Sequence, residues 1–376
     1  TFKMSNIWDF DMRGSIYTPE SVAAYDPAQG QNGIGTGAFV ASDYIPDSSI
    51  TYTGNKNYWR YDPLHPTFKL PYLDGMRYLI MDDPATQQAA LQTGKVAIMG
   101  FSRDRGTYLL KNNPELKYST RPDNYVPVIF LRTDKAPFNN LQVRRALAMA
   151  IDRQGILKDY YQGQGNLLAW PQWESMGNTI YTPLDKMPAD VQELYTQNAT
   201  KAKQLLKDAG FENGFPIQLD VPTVEIYTDQ ANIVKSYWDA IGCTTTIKVI
   251  EAGTFYANMS AKNYQQAGFC PWSNSAKTSA VGWAWRSNQI YNYCLINDPK
   301  VDAAYKAALD ETDVPKRDKI LKDISVYGAQ QSWEIPLPQP VSYVFWQPWL
   351  KGFAGEYGFP GSMMWVDAAL RKSMGQ

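Results

Sequence analysis

The sequence predicts an α/β fold arranged in two lobes, and three observations carry that reading. A four-residue apolar block, Val128 to Leu131, fits a strand buried on both faces. Two helical patterns follow it directly, and at 376 residues the chain exceeds one ordinary core. After the block, Thr133 to Pro137 form a turn. Asn139 and Asn140 offer N-cap oxygens, and Val143, Ala146, Leu147, Ala150 and Ile151 recur at the spacing of one apolar helix stripe. Arg144 and Arg145 flank that stripe and are expected in solvent. Asp152 is placed to cap a second helix through Ile156, Leu157 and Tyr160 that stops near Gly163.

Composition narrows the partners. A formal charge of -1 supplies no basic field for nucleic acid or an anionic membrane, so neutral or zwitterionic partners are expected. Apolar runs are only a few residues long, and no basic-then-apolar export signal stands at Thr1. Cys243, Cys270 and Cys294 lack CxxC spacing and His65 is the single histidine, which argues against a metal site; no cofactor is expected. Cys243, in AIGCTTTIKVI, reads as a small buried thiol. Cys270 and Cys294 are two candidates for a pair in an oxidising compartment, with the odd count against a disulfide scaffold. The 25 Tyr and 12 Trp, beside many Asn and Gln, suit a cavity for polar organic ligands, with core packing as the competing use.

Several blocks occur in a fixed order: GTGAF (Gly35 to Phe39), NKNYW (Asn55 to Trp59), PYLDG (Pro71 to Gly75) and DPATQQAAL (Asp83 to Leu91). The strand-turn-helix run Val128 to Arg153 follows, then AKQLLKDAGF (Ala202 to Phe211), WDAIG (Trp238 to Gly242), a helical segment Asp298 to Tyr327, IPL (Ile335 to Leu337) and WLKGF (Trp349 to Phe353). Together they resemble the extracellular solute-binding proteins of the peptide/nickel/opine class, family 5, the binding subunits of ABC importers. That resemblance implies a two-lobed periplasmic-binding-protein-like fold of type II, in the large cluster with an extra subdomain. It places residues 35–121 in lobe I, a hinge crossing at 122–127, lobe II at 128–336, a second crossing at 337–340 and a return to lobe I at 341–376, with 1–34 a remnant of the extra subdomain or lobe I approach. Proline in both crossings makes stiff connectors. Family members carry a longer segment before the GTGAF-like block, so lobe I is expected to be incomplete, with open sheet edges.

The resemblance also points to ligand residues. The segment Phe269 to Tyr293 matches one that presents a tryptophan and a polar loop to the ligand cavity between lobes. Here Trp272 leads into Ser273, Asn274 and Lys277, followed by Trp283, Trp285 and Arg286. Trp170, Trp173 and Tyr227 are second-rank candidates, for which core packing and ligand contact stand level. Peptide binders of the family place an aspartate in this loop to pair with an α-ammonium, yet no acidic residue occurs from Phe269 to Tyr293. Lys277 and Arg286 suit a carboxylate instead, and the tryptophans equally suit sugar rings.

The expected function is therefore capture of a peptide or peptide-like solute, whose binding favours lobe closure, and delivery to permease subunits, by a monomer outside the cytoplasmic membrane, periplasmic or lipid-anchored. An oligosaccharide receptor of the same family is the alternative. A carboxylate-dependent glycoside hydrolase is the rival from another class, since 37 acids always offer pairs. No GxSxG elbow accompanies His65, no phosphate-loop pattern occurs, and catalysis is not expected.

Overall fold

The computed structural model describes residues 35–123, 125–273, 279–356 and 361–376. The described chain divides into two compact units, one of Pro122–Pro340 and one of 35–121 with Val341–Gln376.

The second of these begins with β1 (Phe39–Ile45), β2 (Ser49–Gly54) and β3 (Gly75–Leu79), an antiparallel sheet in that order. Helix α1 (Pro84–Gln92) lies on the DPATQQAAL block, where Asp83 accepts from Thr86 N and Pro84 occupies the first turn, where no N–H is needed. Next come β4 (Ile98–Phe101), α2 (Arg103–Asn112) and β5 (Lys117–Pro122).

The chain then enters the larger unit with β6 (Tyr125–Leu131), α3 (Leu141–Ala150) and the two-residue β7 (Gly165–Asn166). After α4 (Ala199–Asp208) it alternates: β8 (Pro216–Pro222), α5 (Glu225–Ala240), β9 (Thr244–Ile250), α6 (Ala252–Ser260) and β10 (Ala267–Ser273). Helices α7 (Pro299–Asp310) and α8 (Val314–Gln331) are each started by an aspartate, Asp298 and Asp313, with proline in the first turn. The short β11 (Glu334–Pro336) closes the unit's sheet, whose order is β11-β6-β10-β8-β9. Strands β8, β9 and β10 run parallel, whereas β6 is antiparallel to both β10 and β11. Strand β12 (Gln339–Trp346) then runs into the first-described unit, where it lies between β4 and β5 over a core of Leu91, Phe101, Leu109, Tyr343 and Phe345. A β13 (Leu350–Lys351) and β14 (Trp365–Val366) pair and α9 (Ala368–Ser373) end the chain.

Why β6 reads as an unbroken apolar run is visible in its packing. Ile129 and Leu131 enter one core with Val143 and Leu147 of α3, Leu206 of α4 and Trp238 of α5. Val126, Val128 and Phe130 enter a second core with Phe255 of α6, Tyr305 of α7 and Leu321 of α8. Strand β10 alternates in the same way, Phe269 to one core and Cys270 and Trp272 to the other. Helices therefore cover both faces, and no polar alternation survives on the strand.

Two expectations need correction. Arg144 is not in solvent: it is 4% exposed, and its guanidinium donates to Gln331 O at the end of α8 (2.9 Å) and to Phe138 O (2.8 Å). Burial lowers its pKa to about 10, and the two carbonyls are what make the burial tolerable. Arg145 likewise turns inward, pairing with Glu193 and donating to Asp190 O. The second helix starts where Asp152 accepts from Gly155 N, but after one turn at Arg153–Gly155 it widens into a π-helix, Ile156–Tyr160, ending as Gly163 N bonds Leu157 O in a left-handed bend. The cysteines are all buried free thiols, so Cys270 and Cys294 are not paired. Among the described residues no helix is long and apolar enough to cross a membrane, and no cluster of three His, Cys, Asp or Glu side chains is placed to hold a metal.

Candidate functional site

Trp272 is the anchor of the region that the sequence singled out, and it belongs to a strand rather than a loop. As the sixth residue of β10 it pairs with Val126 of β6, which turns its ring into the second core. Four rings meet it edge-on: Tyr293 at 5.5 Å, Phe130 at 5.6 Å, Trp170 at 5.8 Å and Tyr291 at 6.0 Å between centroids. Edge-to-face geometry brings positive ring edges to negative faces, and each such pair contributes roughly 0.5–1.5 kcal/mol beyond its buried area. The ring is 7% exposed, and its indole N–H is buried without an acceptor.

Trp170 and Trp285 stand behind it, 6.4 Å apart and nearly perpendicular. Both indole N–H groups donate to one atom, Oε2 of Glu334 on β11, the Trp285 bond measuring 2.8 Å. Burial drives the Glu334 carboxyl upward to about 7, against the two indole donors, which favour its charged form. Its Oε1 has no partner, nor has the hydroxyl of Ser332 two residues earlier. Both residues line a small, partly open cavity of about 30 Å³ with Trp170, Trp285, Arg153 and Tyr195. That volume suits a single water, far below the several hundred Å³ of an organic-ligand pocket.

The other candidates fall in different surroundings. Trp173 and Trp283 are half-buried against the same core as Trp272. Arg286 lies over the Tyr305 ring at 4.5 Å, with its Nε buried and unbonded. Ser273 ends β10 half-buried, opposite Tyr125. Asn274 and Lys277 lie outside the described residues. Tyr227, near the start of α5, packs edge-on against Phe269 at 5.9 Å and joins the first core, so it is separated from the tryptophans by the sheet. Burial raises its phenol strongly.

Sequence reasoning missed Glu334, Ser332, Tyr291 and Tyr293. One signal for Glu334 was present: an acid inside the apolar run WEIPL, where a solvated charge has no place. Its partners gave no such signal, since Trp170 and Trp285 are 164 and 49 residues away.

The larger unit is thus a mixed sheet covered by helices on both faces, with Trp272 near the end of one central strand. The chain belongs to the bacterial extracellular solute-binding proteins, family 5, which it matches over residues 10–293. It is 29% identical to heme-binding protein A of Haemophilus influenzae over 329 residues, 85% of this chain and 57% of that protein. It is 26% identical to the dipeptide-binding protein of Pseudomonas aeruginosa over 362 residues, 92% of this chain and 63% of the relative. The chain thus spans about three fifths of the length of these curated relatives. Among solved structures, the periplasmic binding protein DppA of Helicobacter pylori, in complex with peptide STSA, superposes with a TM-score of 0.75 at 20% identity, covering 94% of this chain and 68% of that one. HbpA2 of Haemophilus parasuis gives 0.69 at 24% identity, with 94% and 69% covered. These likenesses establish the two-lobed solute-binding fold expected from the sequence.

Proposed function

We propose that the chain is the solute-binding part of an ABC-importer receptor that takes a peptide or peptide-like polar compound and hands it to permease subunits. The observation that carries this reading is the Trp272 indole N–H, buried among aromatic rings with no protein acceptor. A buried donor left unmatched costs about 1–3 kcal/mol, and a carbonyl or carboxylate of a bound solute would recover it. Arg286 Nε is a second unmatched donor from the same sequence segment. No acid occurs between Phe269 and Tyr293, so recognition through acceptor-rich groups fits this segment better than recognition of an α-ammonium. Dipeptide-binding protein and DppA with its bound peptide favour the peptide class, and heme-binding protein A carries its own ligand name.

The tryptophans and the missing acid favour an oligosaccharide as the second reading, through stacking on sugar faces. Binding is the whole activity in either case, on the outer side of the cytoplasmic membrane, with or without a lipid anchor. Mass spectrometry of compounds released from natively purified full-length protein separates the two. Peptide masses support the first reading; glycans without peptides replace it with the second.

A further inference from the structure

We propose that Glu334 is a positioning residue for the tryptophan wall: its carboxyl group clamps the indoles of Trp170 and Trp285 from behind, and Trp170 in turn sets the ring of Trp272. The proposal deepens the solute-binding reading and rests on it for the meaning of Trp272, though not for the clamp itself.

The argument begins with an acid where packing alone asks for none. Glu334 and Ile335 are consecutive buried residues of β11, and a carboxyl group in that setting carries a large desolvation cost. Two indole donors converge on its Oε2, so one atom fixes two ring planes that share no backbone element. Charge-assisted hydrogen bonds are about twice as strong as neutral ones, which gives the clamp stiffness. On its other side the Trp285 ring lies against Gly328 of α8, where an added Cβ would collide with the indole. Trp285 is thus held between a carboxylate and a bare helix backbone. Trp170, held by the same oxygen, presents its ring edge-on to Trp272 at 5.8 Å and 80°. Any movement of the carboxyl is passed to Trp272 through one ring contact.

The surroundings make the clamp responsive to charge. Among the described residues no Lys or Arg forms an ion pair with Glu334, whose unmatched Oε1 and the unmatched Ser332 hydroxyl line the cavity beside it. The charged and titratable groups around it are Arg153 and Tyr195 on the cavity wall and the Cys270 thiol of β10 and Cys294 thiol, both of which feel its negative charge. Arg153 is committed to three backbone carbonyls, Pro336 O, Ala148 O and Leu194 O, and Arg144 to two more. Tyr195 and both thiols are pushed up by burial and stay neutral through the ordinary pH range. Glu334 is therefore the group in this cluster whose charge changes near neutrality.

Proton–nitrogen correlation spectra of the indole N–H groups, without added solute and with Trp170→Phe, Trp272→Phe and Trp285→Phe used for assignment, test the clamp. In the unaltered full-length protein the Trp170, Trp285 and Trp272 signals should all shift with one midpoint near pH 7. In Glu334→Gln, which keeps a carbonyl acceptor but not the charge, that titration should vanish for all three. Gly328→Ala, which pushes on Trp285 without touching the acid, should displace the Trp285 and Trp272 signals together. A Trp272 signal that ignores pH while the other two titrate, or that stays put in Gly328→Ala, overturns the proposal. Because no solute is added, failure of the peptide reading produces neither result.

Discussion

The two faces of the β6 and β10 sheet are made from adjacent residues of the same strands, yet they treat tryptophan differently. On the first face Trp238 is fully buried and its indole N–H donates to the backbone carbonyl of Leu147 at 3.0 Å. That carbonyl lies inside α3, so the bond ties helix to helix. On the second face Trp170 and Trp285 share one side-chain carboxylate, and Trp272 has no acceptor at all. A face that matches its tryptophan donor to a backbone carbonyl is built for stability. One that concentrates rings around a titratable acid and leaves a donor unmatched retains capacity for something else.

The sharpest way to break that contrast is to remove the stabilising tryptophan. Trp238→Ala should cost about 3–5 kcal/mol in denaturant unfolding, the range for deleting a large buried aromatic. A loss under about 1 kcal/mol would mean that the first face is not the cooperative core.

Next in size is the pH dependence that the second face contributes. Glu334 has an ordinary value of 4.5 and a folded value of about 7, so the folded protein binds the proton more tightly. Its contribution is fully present below pH 4.5 and is lost as pH rises through about 7. At about 1.4 kcal/mol per unit, the loss totals about 3 kcal/mol. Relative to Glu334→Gln, the unaltered protein should therefore lose stability between pH 5 and pH 8. Parallel pH curves for the two would show that the acid is not held in a low-dielectric site.

Trp272→Phe sharpens the comparison from the other side. Because the lost N–H has no protein partner, unfolding stability should change by less than about 1.5 kcal/mol while retention of bound solute falls. Trp238→Phe, which strands the Leu147 carbonyl, should cost more. Equal costs would remove the distinction between the faces. The smallest effect is expected from reduction: with three buried free thiols, reductant should leave the thermal midpoint unchanged, and a thiol reagent should label the native protein slowly.

Much of the fold was legible because its signals are local. The block at Val128 to Leu131 announced a strand covered on both faces, and Asn140 and Asp152 each accept the N-cap bond that starts a helical turn, whereas the helical segment read over Asp298 to Tyr327 is two helices, the second capped by Asp313. Arg144 misled for a physical reason: a stripe count treats a flanking charge as solvated, and its acceptors Gln331 O and Phe138 O belong to no neighbouring stripe position. The candidate site was legible only in part. Aromatic density drew attention to Trp170, Trp272 and Trp285, but nothing local separates a ring that lines a cleft from one that braces it. The bracing acid comes from a strand two hydrogen-bonded steps away, at the sheet edge beyond β6. Tyr227 shows the same limit, since its place after β8 gave no sign of which face its helix covers.

The most direct test compares solute retained by natively purified full-length protein with that retained by Trp272→Ala, both shown folded by circular dichroism and analysed by mass spectrometry after denaturation. The second face as solute wall predicts peptide-class compounds released from the unaltered protein and at least tenfold less from the variant, a change of about 1.4 kcal/mol or more. Equal recovery from both would contradict it.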